Sequence, residues 1–179
     1  MENNWVSYKN GNYNVHLDLV SGTKIRENNL SFFKADRPEN MDIKITNRCT
    51  NPCGTKECPK NCEFCHENSG PNGKHSDALN SKFLETLPEW TECAYGGGNV
   101  LEYPDLVPLL RKSKNLHLIS NITVNQKHFM ENLSFLRELV NQKLIYGLGI
   151  SLTDPYQDGF IAAVKTFPNA VIHVINGVV

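Results

Sequence analysis

At 179 residues, the chain has the length of one domain with a single hydrophobic core. Hydrophobic residues make up 40% of it and charged residues 21%, and the formal net charge of −1 excludes electrostatic binding of nucleic acid or of an anionic membrane over a whole face. No apolar run approaches the roughly 20 residues that cross a bilayer, and residues 1–5 do not have a signal peptide's pattern. We therefore expect a cytoplasmic protein whose reduced thiols are able to bind metal.

The first 40 residues predict a small antiparallel β-meander followed by a linker. Alternating apolar and polar residues indicate strands at residues 5–8, 13–19 and 23–26. Asn10-Gly11 and Ser21-Gly22 mark the two turns between them, because Asn-Gly favours positive φ. The polar stretch over residues 26–40, which contains Pro38, is typical of a linker.

From residue 41 to residue 179 the pattern changes to strands that alternate with helices. The predicted strands are residues 42–46, 92–95, 116–124, 145–152 and 170–175, and the predicted helices are residues 76–87, 104–112, 131–142 and 157–166. This alternation indicates right-handed βαβ units and a parallel sheet, so the second part is predicted to be an α/β core.

A cluster of cysteines follows the first strand of this core. Five of the six cysteines lie between Cys49 and Cys65, and the run C-P-K-N-C-E-F-C over residues 58–65 has the spacing C-x3-C-x2-C. Thiolates match the soft iron of iron–sulfur clusters, which usually take four cysteines. Cys58, Cys62 and Cys65 would therefore leave one iron open to a ligand from outside the protein.

A glycine-rich turn, Tyr95-Gly96-Gly97-Gly98-Asn99, follows the second predicted strand. Glycine has no Cβ, so such a turn allows the backbone to approach a ligand closely. Taken with the cysteine spacing, this turn makes residues 42–179 resemble the radical S-adenosylmethionine (radical SAM) enzymes. The resemblance implies a partial (β/α) barrel that holds a [4Fe–4S] cluster on Cys58, Cys62 and Cys65.

The resemblance also implies the cofactor-binding residues and the reaction. S-adenosylmethionine would chelate the open iron, with Phe64 against its adenine, the turn Gly96, Gly97, Gly98 and Asn99 near its methionine end and Ser151 near its ribose. An electron from a partner such as flavodoxin or ferredoxin would cleave it to methionine and a 5′-deoxyadenosyl radical, which abstracts hydrogen from an unknown substrate. Radical SAM enzymes often have glutamate where this chain has Asn99, which keeps a polar acceptor but no charge.

Three alternatives stay open from the sequence. Cys49 directly follows the first strand and could replace Cys58 as the first ligand, with the spacing C-x12-C-x2-C. A non-catalytic zinc-binding interaction module is also possible, because Cys49, Cys53, Cys58 and Cys62 supply four thiolates. Radical SAM cores usually continue beyond a fifth β/α unit, so the chain is expected to be a fragment, truncated after its fifth core strand.

Polar residues near the ends of the later strands are further candidates for ligand contacts, because ligands in parallel α/β folds collect at the carboxyl ends of strands. Asn121, Thr123 and Asn125 come from the third core strand. His173 comes from the fifth core strand, and because that strand is apolar, the residue is predicted to be a core histidine rather than a catalytic one. Cys93 is predicted to be a small buried hydrophobic residue.

Overall fold

The computed structural model describes residues 4–50, 65 and 67–174. Its strands are β1 Trp5–Asn10, β2 Tyr13–Asp18, β3 Lys24–Glu27, β4 Asn40–Thr46, β5 Glu92–Gly97, β6 Ile119–Asn125, β7 Gly147–Ser151 and β8 Ala170–His173. Its α-helices are α1 Leu106–Asn115, α2 Gln126–Glu131, α3 Leu133–Asn141 and α4 Phe160–Val164, with short 3₁₀ turns at Phe83–Thr86 and Val100–Glu102. Among the described residues, no helix has the length and apolar character needed to cross a membrane.

The strands form two separate sheets. Strands β4 to β8 make a five-stranded parallel sheet in the order β4-β5-β6-β7-β8, and β1, β2 and β3 make a three-stranded antiparallel sheet. The predicted α/β class, the parallel sheet and the N-terminal meander are therefore confirmed. Each new strand of the larger sheet is added beside the preceding one, as expected from consecutive βαβ units.

The two faces of the parallel sheet have opposite chemistry, because successive residues of a strand point to opposite sides. One face belongs to the hydrophobic core, together with residues of α1 to α4; its strand residues are Ile45, Cys93, Tyr95, Ile122, Val124, Leu148 and Ile150. The alternate positions on the other face are polar or small, and they are Asp42, Lys44, Ala94, Gly96, Asn121, Thr123, Gly147, Gly149 and Ser151. Except for Gly149, these alternate residues line cavities instead of a core.

The meander is attached at the end of the parallel sheet where the strands begin. Lys24 forms ion pairs with Glu92, at the start of β5, and with Glu39, just before β4. Asn169, immediately before β8, donates a hydrogen bond from Nδ2 to the Val20 carbonyl at 2.8 Å. The opposite end of the sheet, where ligands of parallel α/β folds usually bind, is not occupied by the meander.

The helix predicted over residues 76–87 is wrong. The described structure has turns there and a single 3₁₀ turn, Phe83–Thr86. Polar side chains compete with helical hydrogen bonding: the Ser76 hydroxyl donates to the Ile45 carbonyl, and the Ser81 hydroxyl accepts from the Phe83 N–H.

Two further helix predictions are corrected in their boundaries. The helix predicted over residues 131–142 is preceded by α2, and Asn132 separates α2 from α3. The helix predicted over residues 157–166 is reduced to α4, because Gly159 has a φ of 75° and so cannot belong to a right-handed helix.

Candidate functional site

A cavity of about 690 Å³ lies at the carboxyl ends of the parallel strands. Its volume is within the range of roughly 300–1,000 Å³ that is common for small-molecule sites. Residues from β4, β5, β6, β7 and β8 contribute to its wall, as do the segments that follow β4 and β5. The cavity is therefore located where the sequence predicts ligand binding.

The cavity brings together the predicted site residues that the structure describes. Those residues are Cys49, Cys65, Gly96, Gly97, Gly98, Asn99 and Ser151, and all of them line it. Cys49 and Cys65 are 16 positions apart in the sequence, and Ser151 ends β7, so the grouping is a product of the fold and not of local sequence. Cys58, Cys62 and Phe64 lie outside the described residues.

Two backbone hydrogen bonds fix the peptide group that joins Arg48 to Cys49. Its own N–H donates to the Gly70 carbonyl at 2.9 Å, and the preceding Arg48 carbonyl accepts from the Asn99 N–H at 2.8 Å. Cys49 is only 8% exposed, and it lines the cavity. A thiol fixed in this way is in a suitable position to bind a metal without a large ordering cost.

The three glycines of the turn have different surroundings. A Cβ at Gly97, whose φ is 113°, would be 2.0 Å from the Thr46 carbonyl oxygen, and a Cβ at Gly98 would be 2.1 Å from the Arg48 carbonyl oxygen. These two glycines therefore allow the end of β4, which leads to Cys49, to pack directly on the turn. A Cβ at Gly96 would meet no described atom within 4 Å, so Gly96 is the one whose missing side chain leaves room in the cavity.

Asn99 is engaged within the protein. Its Oδ1 accepts from the Leu101 N–H at 3.1 Å, which caps the 3₁₀ turn Val100–Glu102. Its Nδ2 donates to Glu102 Oε1 at 3.1 Å and is 3.5 Å from His128 Nε2. The Asn99 side chain is thus mainly structural, although the residue also lines the cavity.

The wall on the β6 to β8 side is polar. Thr123 and His173 both lie over Gly149, since a Cβ at Gly149 would be 2.7 Å from Thr123 Oγ1 and 3.0 Å from His173 Cε1. The prediction that His173 belongs to the core is wrong: it is exposed and lines the cavity, because it is on the sheet face opposite to the helices. Asn125 lines the same wall and caps α2, where its Oδ1 accepts from the His128 N–H at 2.8 Å.

Asp42 and Lys44 of β4 also line the cavity, and no role for them there was predicted from the sequence. Asp42 and Lys44 alternate with Ile43 and Ile45, and this two-residue period was the available signal. Lys44 Nζ is 2.5 Å from Glu67 Oε2, so its charge is balanced within the cavity wall. Asp42 has no such partner among the described residues.

Cysteine donors are the part of the site that fits an iron–sulfur cluster. Within residues 4–50, 65 and 67–174, no three histidine, cysteine or acidic side chains converge on one metal position. Cys49 and Cys65 nevertheless line one cavity, and the other cysteines predicted to bind iron or zinc, Cys53, Cys58 and Cys62, are outside the described residues. Cys93 is buried in the core, where desolvation raises the pKa of its thiol to about 11, which confirms its predicted structural role.

The chain was also compared with known proteins. No protein-family model, curated protein or solved structure matches it. Its function is therefore inferred from the residue types of the site and their geometry.

Proposed function

We propose that this protein is a radical SAM enzyme with a partial (β/α) barrel, which acts on a substrate bound at the carboxyl ends of its parallel strands. One observation carries the proposal: Cys49 and Cys65 face the same cavity as the Gly96–Gly98 turn and Ser151. When bound, a [4Fe–4S] cluster supplies the electron that breaks a carbon–sulfur bond of S-adenosylmethionine, giving methionine and a 5′-deoxyadenosyl radical that takes a hydrogen atom from the substrate.

The sheet geometry supports the barrel. One face of the sheet packs against the helices, and the other face is polar and lines cavities, which is the arrangement of a barrel wall. A doubly wound sheet would have apolar residues and helices on both faces.

We propose Cys49, Cys62 and Cys65 as the cluster ligands. Cys49 is supported by its burial, its fixed backbone and its position on the cavity. The C-x3-C-x2-C spacing favours Cys58 instead, so single variants of Cys49 and Cys58 must decide between them.

The protein's own residues would hold S-adenosylmethionine beside these ligands. Gly96 leaves room for its methionine end, Ser151 offers a hydroxyl to its ribose, and Phe64 would pack on its adenine. The partner that supplies the electron would be a flavodoxin or a ferredoxin. A reducing compartment such as the cytoplasm suits thiolate ligands.

Anaerobic reconstitution with iron and sulfide tests the proposal. A brown protein that cleaves S-adenosylmethionine to methionine and 5′-deoxyadenosine when dithionite is added would support it. Cys49→Ala and Cys65→Ala should lose the cluster, whereas Cys93→Ala is the matched control, because Cys93 is in the core. A colourless protein that holds only zinc would overturn the proposal and support a non-catalytic zinc-binding interaction module.

A further inference from the structure

Besides Ser151, which is assigned above to the cofactor, three polar side chains face the cavity from three different strands and have no partner among the described residues. They are Asp42 on β4, Thr123 on β6 and His173 on β8. Other polar residues of the cavity wall, such as Lys44, Glu67 and Asn99, are engaged with neighbouring residues. Convergent polar groups in a concave site are the usual means of orienting a ligand.

Gly149 brings two of these groups together. Thr123 Oγ1 and the His173 ring approach the position of its missing Cβ from the two neighbouring strands, at 2.7 Å and 3.0 Å. Any side chain at position 149 would occupy this space. Glycine there gives the hydroxyl and the imidazole access to the cavity.

The charge of this surface favours one class of ligand. Asp42 is a carboxylate with no counter-ion among the described residues, whereas Lys44, the one lysine or arginine in the described part of the lining, is paired with Glu67. Among the described residues of this wall, a phosphate or another anion would find no unpaired lysine or arginine, and Asp42 would repel it. Paired N–H donors, by contrast, match the two oxygens of a carboxylate.

We propose that Asp42, Thr123 and His173 form a substrate subsite that selects a neutral or cationic molecule with N–H donors, such as an amine, an amidine or a guanidine. The assignment of this molecule as the substrate rests on the proposed function. β4 is two strands from β6 and four strands from β8, so Asp42 would accept the N–H groups at one end of the molecule, and Thr123 and His173 would bond polar atoms at its far end. The subsite would discriminate against phosphate esters.

Benzamidine and benzoate test the charge preference, because they have similar shapes and opposite charges. Each is titrated in the millimolar range into the 179-residue protein without added iron, and the amide resonances of Asp42, Thr123, Gly149 and His173 are followed by NMR. Benzamidine should shift these resonances more than benzoate does. Asp42→Asn should weaken benzamidine about tenfold, and Asp36→Asn, outside the cavity, should have no effect.

The proposal is overturned if benzoate binds as well as benzamidine, if neither binds, or if Asp42→Asn has no effect. A second variant, Gly149→Ala, checks the geometry, since its methyl group would displace Thr123 and His173 and should also weaken benzamidine. The titration needs no cluster, so its outcome is independent of reconstitution. A protein that takes up only zinc but binds benzamidine through Asp42 would refute the radical SAM proposal and leave the subsite intact.

Discussion

Glu102 holds Thr50 through two hydrogen bonds to one carboxylate oxygen. Glu102 Oε1 accepts from the Thr50 N–H at 2.9 Å and from the Thr50 hydroxyl at 2.8 Å. Its other oxygen, Oε2, is 3.4 Å from Arg48 Nε. One side chain therefore contacts the residues on both sides of Cys49, and Asn99 Nδ2 joins the same carboxylate to the glycine turn.

Removal of this carboxylate should release the segment that contains Cys49. In Glu102→Ala, the Thr50 N–H and the Arg48 guanidinium lose their acceptor, which should lower the free energy of local opening by about 1–3 kcal/mol. The alkylation rate of Cys49 by iodoacetamide should then rise about tenfold for each 1.4 kcal/mol. Peptide mapping by mass spectrometry measures this rate for Cys49 separately from the other cysteines.

Two variants control this experiment. Glu102→Gln keeps one carbonyl acceptor for Thr50 and should recover part of the protection. Glu138→Ala removes an exposed carboxylate of α3 that accepts a hydrogen bond from Gln142, and it should leave the alkylation rate of Cys49 unchanged. Equal alkylation rates in Glu102→Ala and the unmodified protein would show that Glu102 does not position Cys49.

Alanine substitutions at two glycines of the turn should separate an effect on protein stability from an effect on ligand binding. Gly98→Ala would put a methyl group 2.1 Å from the Arg48 carbonyl oxygen, and because backbone atoms would have to move, a loss of stability of about 1–3 kcal/mol is expected. Gly96→Ala meets no described atom within 4 Å, so its stability should change by less than about 1 kcal/mol. Its methyl group should, however, weaken S-adenosylmethionine binding.

Urea unfolding and equilibrium dialysis measure the two effects. The expected pattern is a lower urea midpoint for Gly98→Ala and a normal midpoint with weaker binding for Gly96→Ala. Unchanged binding by a stable Gly96→Ala protein would remove Gly96 from the cofactor site.

The local sequence predicts the strands, but it does not predict which residues surround a given side chain. The alternation of Ile43 and Ile45 with polar neighbours predicts β4, because a two-residue period is a property of the strand itself. The helix over residues 76–87 was predicted from its leucine and phenylalanine spacing, but hydrogen bonds from Ser76 and Ser81 compete with that pattern. Apolar spacing does not reveal such competition.

The candidate site depends on contacts that join distant parts of the chain. Glu102 contacts Thr50 across 52 positions, and no local motif marks either residue as part of the site. His173 is surrounded by apolar residues in sequence, and its exposure to the cavity follows only from the packing of the helices on the other face of the sheet. The glycine turn was identified from the sequence, but its close approach to the end of β4 was not.

Cys93 should behave differently from the cysteines on the cavity. Burial raises the pKa of its thiol to about 11, so only about one molecule in a thousand is ionised at about pH 8. Its side chain is also inaccessible in the core. Alkylation of Cys93 in the native protein should therefore be at least about 100-fold slower than that of Cys65. Labelling of both at similar rates, measured by peptide mapping, would contradict the structure of the core around β5.

The attachment of the meander to the parallel sheet should depend on pH. Burial raises the pKa of Glu39, but hydrogen bonds from Arg26 and Tyr13 outweigh it and hold the pKa at about 2, below the ordinary 4.5. Because the folded protein has the lower pKa, ionised Glu39 stabilises the fold above pH 4.5, and this stabilisation is lost as the pH falls toward 2. The shift corresponds to roughly 3 kcal/mol at neutral pH.

The variant Glu39→Gln isolates this contribution from the other carboxylates. It removes the ion pairs with Arg26 and Lys24, so its free energy of unfolding in urea should be well below that of the unmodified protein at pH 7. The difference between the two proteins should shrink as the pH falls from 4.5, because Glu39 becomes protonated and neutral like glutamine. A difference that stays constant down to pH 3 would mean that the charge of Glu39 does not stabilise the contact between meander and sheet.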